Sequence, residues 1–379
     1  MANTLTGLIP VLYNALDMVS RELVGFVPAV TRNSTDERAA VGQTITFPIV
    51  PAIIPADVTP GTTAPNTGDA TIGNASLSIT KARYAPIRWT GEEEKGVNHG
   101  GQLDNIIRDQ FAQAMRALVN EVEADLAALY TSASRAYGTA GTAPFGTASD
   151  FSDFAGALQI LDENGCPSTD RHLVLGSQAI ANLRGKQSVL FKVNEAGTQE
   201  LLRDGILGRV EGFDIHNSAK VVLHTKGTGS GYVTSGAKVV GDTSLTLTTG
   251  TGTILAGDVL TGAGDANKYI VGSPLSGGVV GLNKPGLQAA LSSGSAVAVG
   301  NAYRANMAFH RSALQLVTRT PAMPRGGDAA SDVMEIMDPI SGLAFQVAEY
   351  REYRQVRWEV ALAWGVKAVK SEHIALLIG

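Results

Sequence analysis

Residues 102–137 read QLDNIIRDQFAQAMRALVNEVEADLAALYTSASRAY, and this stretch decides the architecture. Leu103, Ile107, Phe111, Ala114, Leu118, Val122, Leu126 and Leu129 recur at three- and four-residue spacing, one stripe of an α-helix. Gly100 and Gly101 precede the stretch, Gly138 follows it, and neither Pro nor Gly interrupts it. The pattern predicts one helix of about 36 residues, roughly 54 Å long. A helix that outreaches a small domain acts as a strut with one buried side. Arg108, Arg116, Asn120, Glu121 and Asp125 fall on the other side, expected to face solvent or another subunit.

Upstream, Leu5, Leu8, Ile9, Leu12, Leu16, Val19 and Leu23 predict an amphipathic helix over residues 4–24, packed on its own chain or on a neighbour. Between residues 43 and 90 stand six of the 15 prolines: Pro48, Pro51, Pro55, Pro60, Pro65 and Pro86. They exclude a helix there. Gln43–Val50 and Ser76–Trp89 read as two extended arms joined by a tip of Pro, Gly, Thr, Asn and Asp. A lone two-stranded hairpin is marginal in water, so this one needs a surface, on its own chain or on a neighbouring subunit.

Downstream, residues 150–223 read as mixed α/β. Helices are expected at Asp153–Glu163 and Ser177–Arg184, and strands at His172–Leu175, Val210–Ile215 and Ala219–His224. At Lys226 the composition changes. From Gly227 to Gly300 only Lys238, Asp242, Asp258, Asp265, Lys268 and Lys284 are charged, and the stretch holds 17 of the 43 glycines. Short alternating runs such as Ser244–Thr248 and Lys268–Val271 between turn residues predict an inserted all-β barrel or sandwich. After Tyr303 strands are expected at Leu314–Arg319, Val333–Met337, Leu343–Glu349 and Val356–Val366, with the apolar end Ile374–Ile378 docked.

Composition narrows the function. A chain of 379 residues suggests two or three folding units, and 44% hydrophobic with 17% charged residues is globular. The net charge of −5 leaves no basic surplus for neutralising phosphates. Cys166 is the single cysteine and cannot form an internal disulfide. No run of about 20 apolar residues could span a membrane, and no basic residue before Arg21 marks a secretory signal.

No catalytic, cofactor or metal residue is assigned. The histidines, His99, His172, His216, His224, His310 and His373, show no metal-ligand spacing. Cys166 sits in a Gly-Cys-Pro turn and reads as an incidental thiol. A phosphate loop fails at Ile180, which stands where the upstream glycine belongs, and Gly227, Gly229 and Gly231 read as a linker where the insertion begins. Glu92, Glu93 and Glu94 read as a charged segment, solvated or paired with Arg or Lys, including across a subunit boundary. Arg351, Arg354 and Arg357 alternate with aromatic and apolar residues and mark the rim of a sheet.

An N-terminal arm, a long hairpin, a long helix and an α/β body interrupted by a β-domain occur together, without site chemistry. Local points recur in the same order: Leu118–Glu123; Arg203-Asp204-Gly205 leading to Val210–Asp214; Leu223–Lys226; Leu255–Asp258; Ala302–Phe309; and Ala361–Val366. On these the chain resembles the major capsid (coat) proteins of tailed double-stranded DNA bacteriophages, with the Johnson fold. It most resembles the short-tailed-phage branch that carries an inserted β-barrel. The resemblance implies an α+β fold with an N-arm (1–42), an extended β-hairpin loop (43–91), a peripheral domain with the spine helix (92–149), an axial domain (150–224), the inserted barrel (225–301), and the second part of the axial and peripheral domains (302–379).

It further implies a structural protein, not an enzyme. Such a protein forms pentamers and hexamers of an icosahedral shell around double-stranded DNA, without sequence-specific binding. It works with a scaffolding protein and a portal protein, admits a decoration protein, and matures from a procapsid assembled in the bacterial cytoplasm. No cofactor and no membrane is implied. Arg83, Arg88, Glu92, Glu93 and Glu94 are the expected intersubunit contacts, and charge reversal at Glu93 is expected to hinder assembly. One departure stands out: the long charged loop that relatives carry in the insertion is short here, around Ala237–Ser244, with only Lys238 and Asp242 charged. The rival reading is a β-rich binding or adhesion protein with the insertion as its recognition module.

Overall fold

The structure is a computed structural model that describes residues 24–49, 71–97, 103–187, 208–337 and 341–379, with single positions between 53 and 69. The helix expected over 4–24 lies outside the described residues except for its last position. Most of the hairpin tip and the Arg203-Asp204-Gly205 point also lie outside them.

A one-turn helix, α1 (Phe26–Ala29), buries Phe26, Val27 and Ala29. Then come β1 (Thr31–Ala39), β2 (Thr44–Ile49), β3 (Gly73–Ser78) and β4 (Lys81–Thr90). β2 and β3 form the expected antiparallel hairpin, from Thr44 opposite Ser78 to Ile49 opposite Gly73. The second arm is not continuous. After Ile79 and Thr80 the chain leaves the hairpin, and β4 enters a different sheet. A short helix, α2 (Gly91–Val97), precedes the long one, α3 (Leu103–Ala127).

α3 is shorter than its periodicity predicts. At 25 residues it spans about 38 Å. A 3-10 turn over Ala128–Ser132 follows, and Arg135–Gly138 is a strand, β5. The alanine-rich end tolerates a helix, but tertiary partners outbid it. Ser134 donates from its N–H and its hydroxyl to the Ile374 carbonyl, at 2.9 and 2.8 Å. Arg135 donates to Asn267 at 2.8 Å and pairs with Glu163 at 2.7 Å. The stripe behaves as expected over its middle: Ile107, Phe111, Leu118, Val122 and Leu126 are buried, at roughly 1.5–3 kcal/mol each.

The next elements are α4 (Ser152–Glu163), β6 (Arg171–Leu175), α5 (Ser177–Lys186), β7 (Arg209–Val210), β8 (Phe213–Asn217) and β9 (Leu223–His224). The strand expected over Val210–Ile215 is a hairpin instead. Glu211 and Gly212 take φ of 47° and 81°, and Val210 pairs with Phe213 across them. That is the two-residue turn whose twist suits antiparallel strands. The strand expected over Ala219–His224 shrinks to β9.

The insertion is a closed barrel of β10 (Tyr232–Thr234), β11 (Ser244–Thr248), β12 (Val259–Gly262), β13 (Lys268–Ser276), β14 (Val279–Leu282) and β15 (Ala296–Val299). Their order is β12-β15-β10-β11-β14-β13, and β12 also pairs with β13, which closes the ring. Side chains fill it, among them Tyr232, Leu245, Leu247, Tyr269, Val280 and Val297. Gly277 and Gly278, both at positive φ, make the β13–β14 turn.

The chain closes with β16 (Tyr303–His310), β17 (Leu314–Pro321), β18 (Asp332–Met337), β19 (Ala344–Glu352), β20 (Gln355–Ala368) and β21 (Ile374–Ile378). Two sheets result. One runs β1-β17-β20-β19-β18, with β4 along the other edge of β20. α3 packs on it: Trp358, Val360, Leu362 and Trp364 are buried in one core with the α3 stripe, and Phe111 meets Trp358 edge-on at 6.1 Å. The other runs β5-β21-β16-β6-β8-β7 and joins the barrel through β13, Tyr269 opposite Arg135. A second core, with Phe154, Leu161, Leu173, Leu183 and Phe213, lies between this sheet and the two helices α4 and α5.

Candidate assembly surfaces and buried joints

Among the described residues, the β2–β3 hairpin is held at its base. Leu77 and Ile79 are buried there, Ile79 in a small core with Ala39 and Ala363, while nearly every other described hairpin residue is half-buried or exposed. A Cβ on Gly365 would come within 2.3 Å of the Ser78 carbonyl, so the base needs glycine in β20. Lys367 Nζ donates to the Ser76 carbonyl at 2.6 Å. Beyond the base, Ile53, Val58 and Ile72 are exposed.

The predicted contact residues divide into three groups. Arg83 lies 3.4 Å from Glu121 of its own chain, beside Lys81, which donates to Glu121 at 3.0 Å and Asp125 at 2.8 Å. Trp364 Nε1 donates to Asp125 at 2.8 Å. Glu121 and Asp125, expected to face solvent or a neighbour, therefore clamp β4 and β20 to α3. Glu93 starts α2: the Thr90 N–H donates to it at 2.9 Å, and the Glu93 N–H donates back to the Thr90 hydroxyl at 3.3 Å. That is a capping box, and the Thr90 N–H and hydroxyl hold the Glu93 carboxyl below its ordinary range. Arg88 is exposed on β4, in register with Arg357.

Glu92 and Glu94 share the first turn of α2 and, among the described residues, make no capping hydrogen bond. They line a groove of about 640 Å³ with Arg351, Glu352, Tyr353 and Arg354. Tyr353 is 87% exposed at the β19–β20 turn, and the Arg354 guanidinium sits 5.5 Å above its ring. Acidic and basic groups thus meet at one corner of the sheet that holds β4, β19 and β20, around an aromatic side chain in solvent.

Two buried carboxylates make joints. Glu123, on α3, is 1% exposed and accepts from three successive backbone N–H groups: Gly25 at 2.6 Å, Phe26 at 2.7 Å and Val27 at 3.1 Å. Burial pushes its carboxyl above the ordinary value, against the pull of these donors. Asp258, in the barrel, accepts from Gly227 N–H at 3.0 Å and Leu255 N–H at 2.7 Å and meets His224 Nε2 at 2.8 Å. His224 Nδ1 lies 2.8 Å from the Tyr130 hydroxyl, and Tyr303 donates to the Gly257 carbonyl at 2.5 Å. Burial raises the Tyr130 and Tyr303 hydroxyls, so both keep their protons. The Leu223–Lys226 and Leu255–Asp258 points therefore meet in space, between the barrel and the end of the long helix. Gly227 belongs to the same joint: a Cβ there would lie 2.2 Å from the Thr253 carbonyl.

The short barrel loop is an ordinary turn. Asp242 accepts from the Val239 N–H at 3.0 Å, and Lys238 reaches Thr246 at 3.4 Å, so both charges serve the barrel itself. Val239 and Val240 are exposed on it.

Sequence spacing missed one cluster, which forms only when β6 and β8 pair. His172 Nε2 lies 3.0 Å from Asp170, its Nδ1 lies 3.0 Å from His216 Nε2, and Asp214 stands opposite His172 in register. Burial, with His172 alongside, lowers His216 to about 4. Elsewhere, a polar cavity of about 780 Å³ beside Tyr137 and Lys186 has, among the described residues, Asp150 and Asp153 as its acidic lining and no histidine or cysteine. Cys166 is buried, and burial raises its thiol.

No family model matches the sequence, and no curated protein matches it significantly. Solved structures do. A chain of the capsid structure of the cyanophage P-SCSP1u aligns over 94% of this chain and 88% of its own, with 12% identity and a TM-score of 0.52. The mature capsid of bacteriophage PhiM1 gives 93%, 86%, 10% and 0.48, and Mycobacterium phage Che8 gives 89%, 84%, 14% and 0.45. The cyanophage likeness shows the fold: the chain has the α+β architecture of a phage capsid protein, with a β-barrel inserted in it.

Proposed function

We propose that this chain is the major capsid protein of a tailed double-stranded DNA phage of the short-tailed branch. Many copies build pentamers and hexamers of an icosahedral shell that matures from a procapsid, with a scaffold and a portal as partners and a decoration protein admitted. The role is structural rather than enzymatic, and its place is the virion, after assembly in the host cytoplasm. The observation that carries this reading is the β2–β3 hairpin, packed at its base and open on both faces beyond it, on a capsid-protein fold. Such a hairpin offers surface to bury against another chain. A net charge of −5 suits a container wall that does not cling to its genome.

Among the described residues, Arg88, Glu92 and Glu94 are the proposed contact residues that neither cap a helix by hydrogen bonds nor pair with the long helix. Reversing Glu92 and Glu94 together to Lys tests the reading, because Glu93 also caps its helix. Sedimentation is expected to show the variant arrested as monomers or capsomers, with an unchanged circular dichroism spectrum and melting point. Wild-type assembly by the double variant contradicts the assignment of this corner. The adhesion reading receives no support from the barrel, whose interior is packed with side chains.

A further inference from the structure

Asp170, His172 and Asp214 each bring one donor atom within 4.8 Å of the other two. Asp170 ends the turn before β6 at a φ of 56°, His172 is the second residue of β6, and Asp214 is the second residue of β8. The His172 side chain is 2% exposed, while that of Asp170 is 43% exposed, so the group opens to solvent on one side. His216 Nε2, at 3.0 Å from Nδ1, fixes the ring from behind.

The far side of the ring is overcommitted. Asp170 Oδ1 lies 3.0 Å from Nε2, and Arg311 Nε and Nη2 lie 3.3 and 3.2 Å from the same atom. One ring nitrogen cannot donate to a carboxylate and accept from a guanidinium at once. With its proton on Nδ1, facing His216, Nε2 offers a lone pair beside the Asp170 carboxylate, in a group whose Asp214 donor atom lies within 4.8 Å. That is a donor set for a metal ion, and the His216 contact is the outer support such ligands use. Arg311 also meets Asp170 Oδ2 at 3.3 Å, on a side chain 43% exposed. A positive charge therefore already stands beside these donors, on an arm that can turn to solvent.

We propose that Asp170, His172 and Asp214 bind a divalent transition cation of the zinc class, and that Arg311 is the counter-charge the ion displaces. One imidazole and two carboxylates leave the fourth tetrahedral position to water. The bound ion ties the Asp170 turn to β6 and β8. Because the donors converge only in the folded chain, binding raises thermal stability.

The test uses the untagged full-length chain, stripped with chelator and titrated with Zn²⁺ by calorimetry. One saturable site per chain and a raised melting point are expected. Asp214→Asn, at a half-buried position, is expected to weaken Zn²⁺ at least tenfold with the metal-free melting point retained. Arg311→Ala is expected to tighten it severalfold, because the competing charge is gone. Wild-type protein that takes up no Zn²⁺ overturns the proposal. So does wild-type affinity in both variants, or Mg²⁺ binding as tight as Zn²⁺.

Discussion

Glu123 shows how much one side chain can organise. Its carboxylate satisfies three backbone N–H groups where the chain enters the body, and nothing else described replaces it as their acceptor. Glu123→Ala leaves three buried donors unpaired, at about 1–3 kcal/mol each. Denaturant unfolding should show a loss of several kcal/mol, with Glu123→Gln much milder. Because burial raises the carboxyl, its contribution is fully present below the ordinary value near 4.5 and is lost as pH rises through the folded value. His373 works in the opposite sense. Burial holds its imidazole below the ordinary 6.5, with Lys370 adding to the effect. The unfolded chain takes a proton first, so stability is full above 6.5 and falls as pH drops toward the folded value. The melting point should fall between pH 7.5 and 5.5, and the fall should be shallower in His373→Gln. Little of this was legible in the sequence. Glu123 sits beside the predicted stripe, but the segment that covers it lies 96 to 98 residues away.

At the scale of elements, periodicity found the helix, the hairpin, the barrel and the strands β17 to β20, because burial of one face dictates each pattern. It failed where a distant partner decides. The alanine-rich end of the long helix is compatible with continuing, and the ladders with β21 and β13 turn the residues after it into a strand. The Glu211-Gly212 turn sat inside the run Val210–Ile215, which mixes apolar and acidic residues. The joint between barrel and body was visible only as two unexplained points. Asp258→Asn removes the charge that holds His224 and two backbone donors, and should cost about 3 kcal/mol. Hydrogen exchange should rise in residues 227–258 while β17–β20 stay protected. Uniform loosening of the whole chain would show instead that the joint is not a local device.

For the whole molecule, the resemblance seen in ordered but weak sequence points is matched by a fold likeness at 12% identity. Sequence alone nominated five contact residues. Two of them, Arg83 and Glu93, serve the chain's own packing and capping, a division that charge and spacing cannot reveal. What the sequence does carry is the asymmetry of the fold: well-filled cores beside a hairpin that, among the described residues, is packed at its base. That asymmetry is the reason to expect a shell, and electron microscopy of the protein expressed in a bacterium, alone and with its neighbouring scaffold gene, tests it most directly. The account predicts closed shells of uniform size in at least one preparation. Monomers alone in both, with neither shells nor polymers, would contradict it.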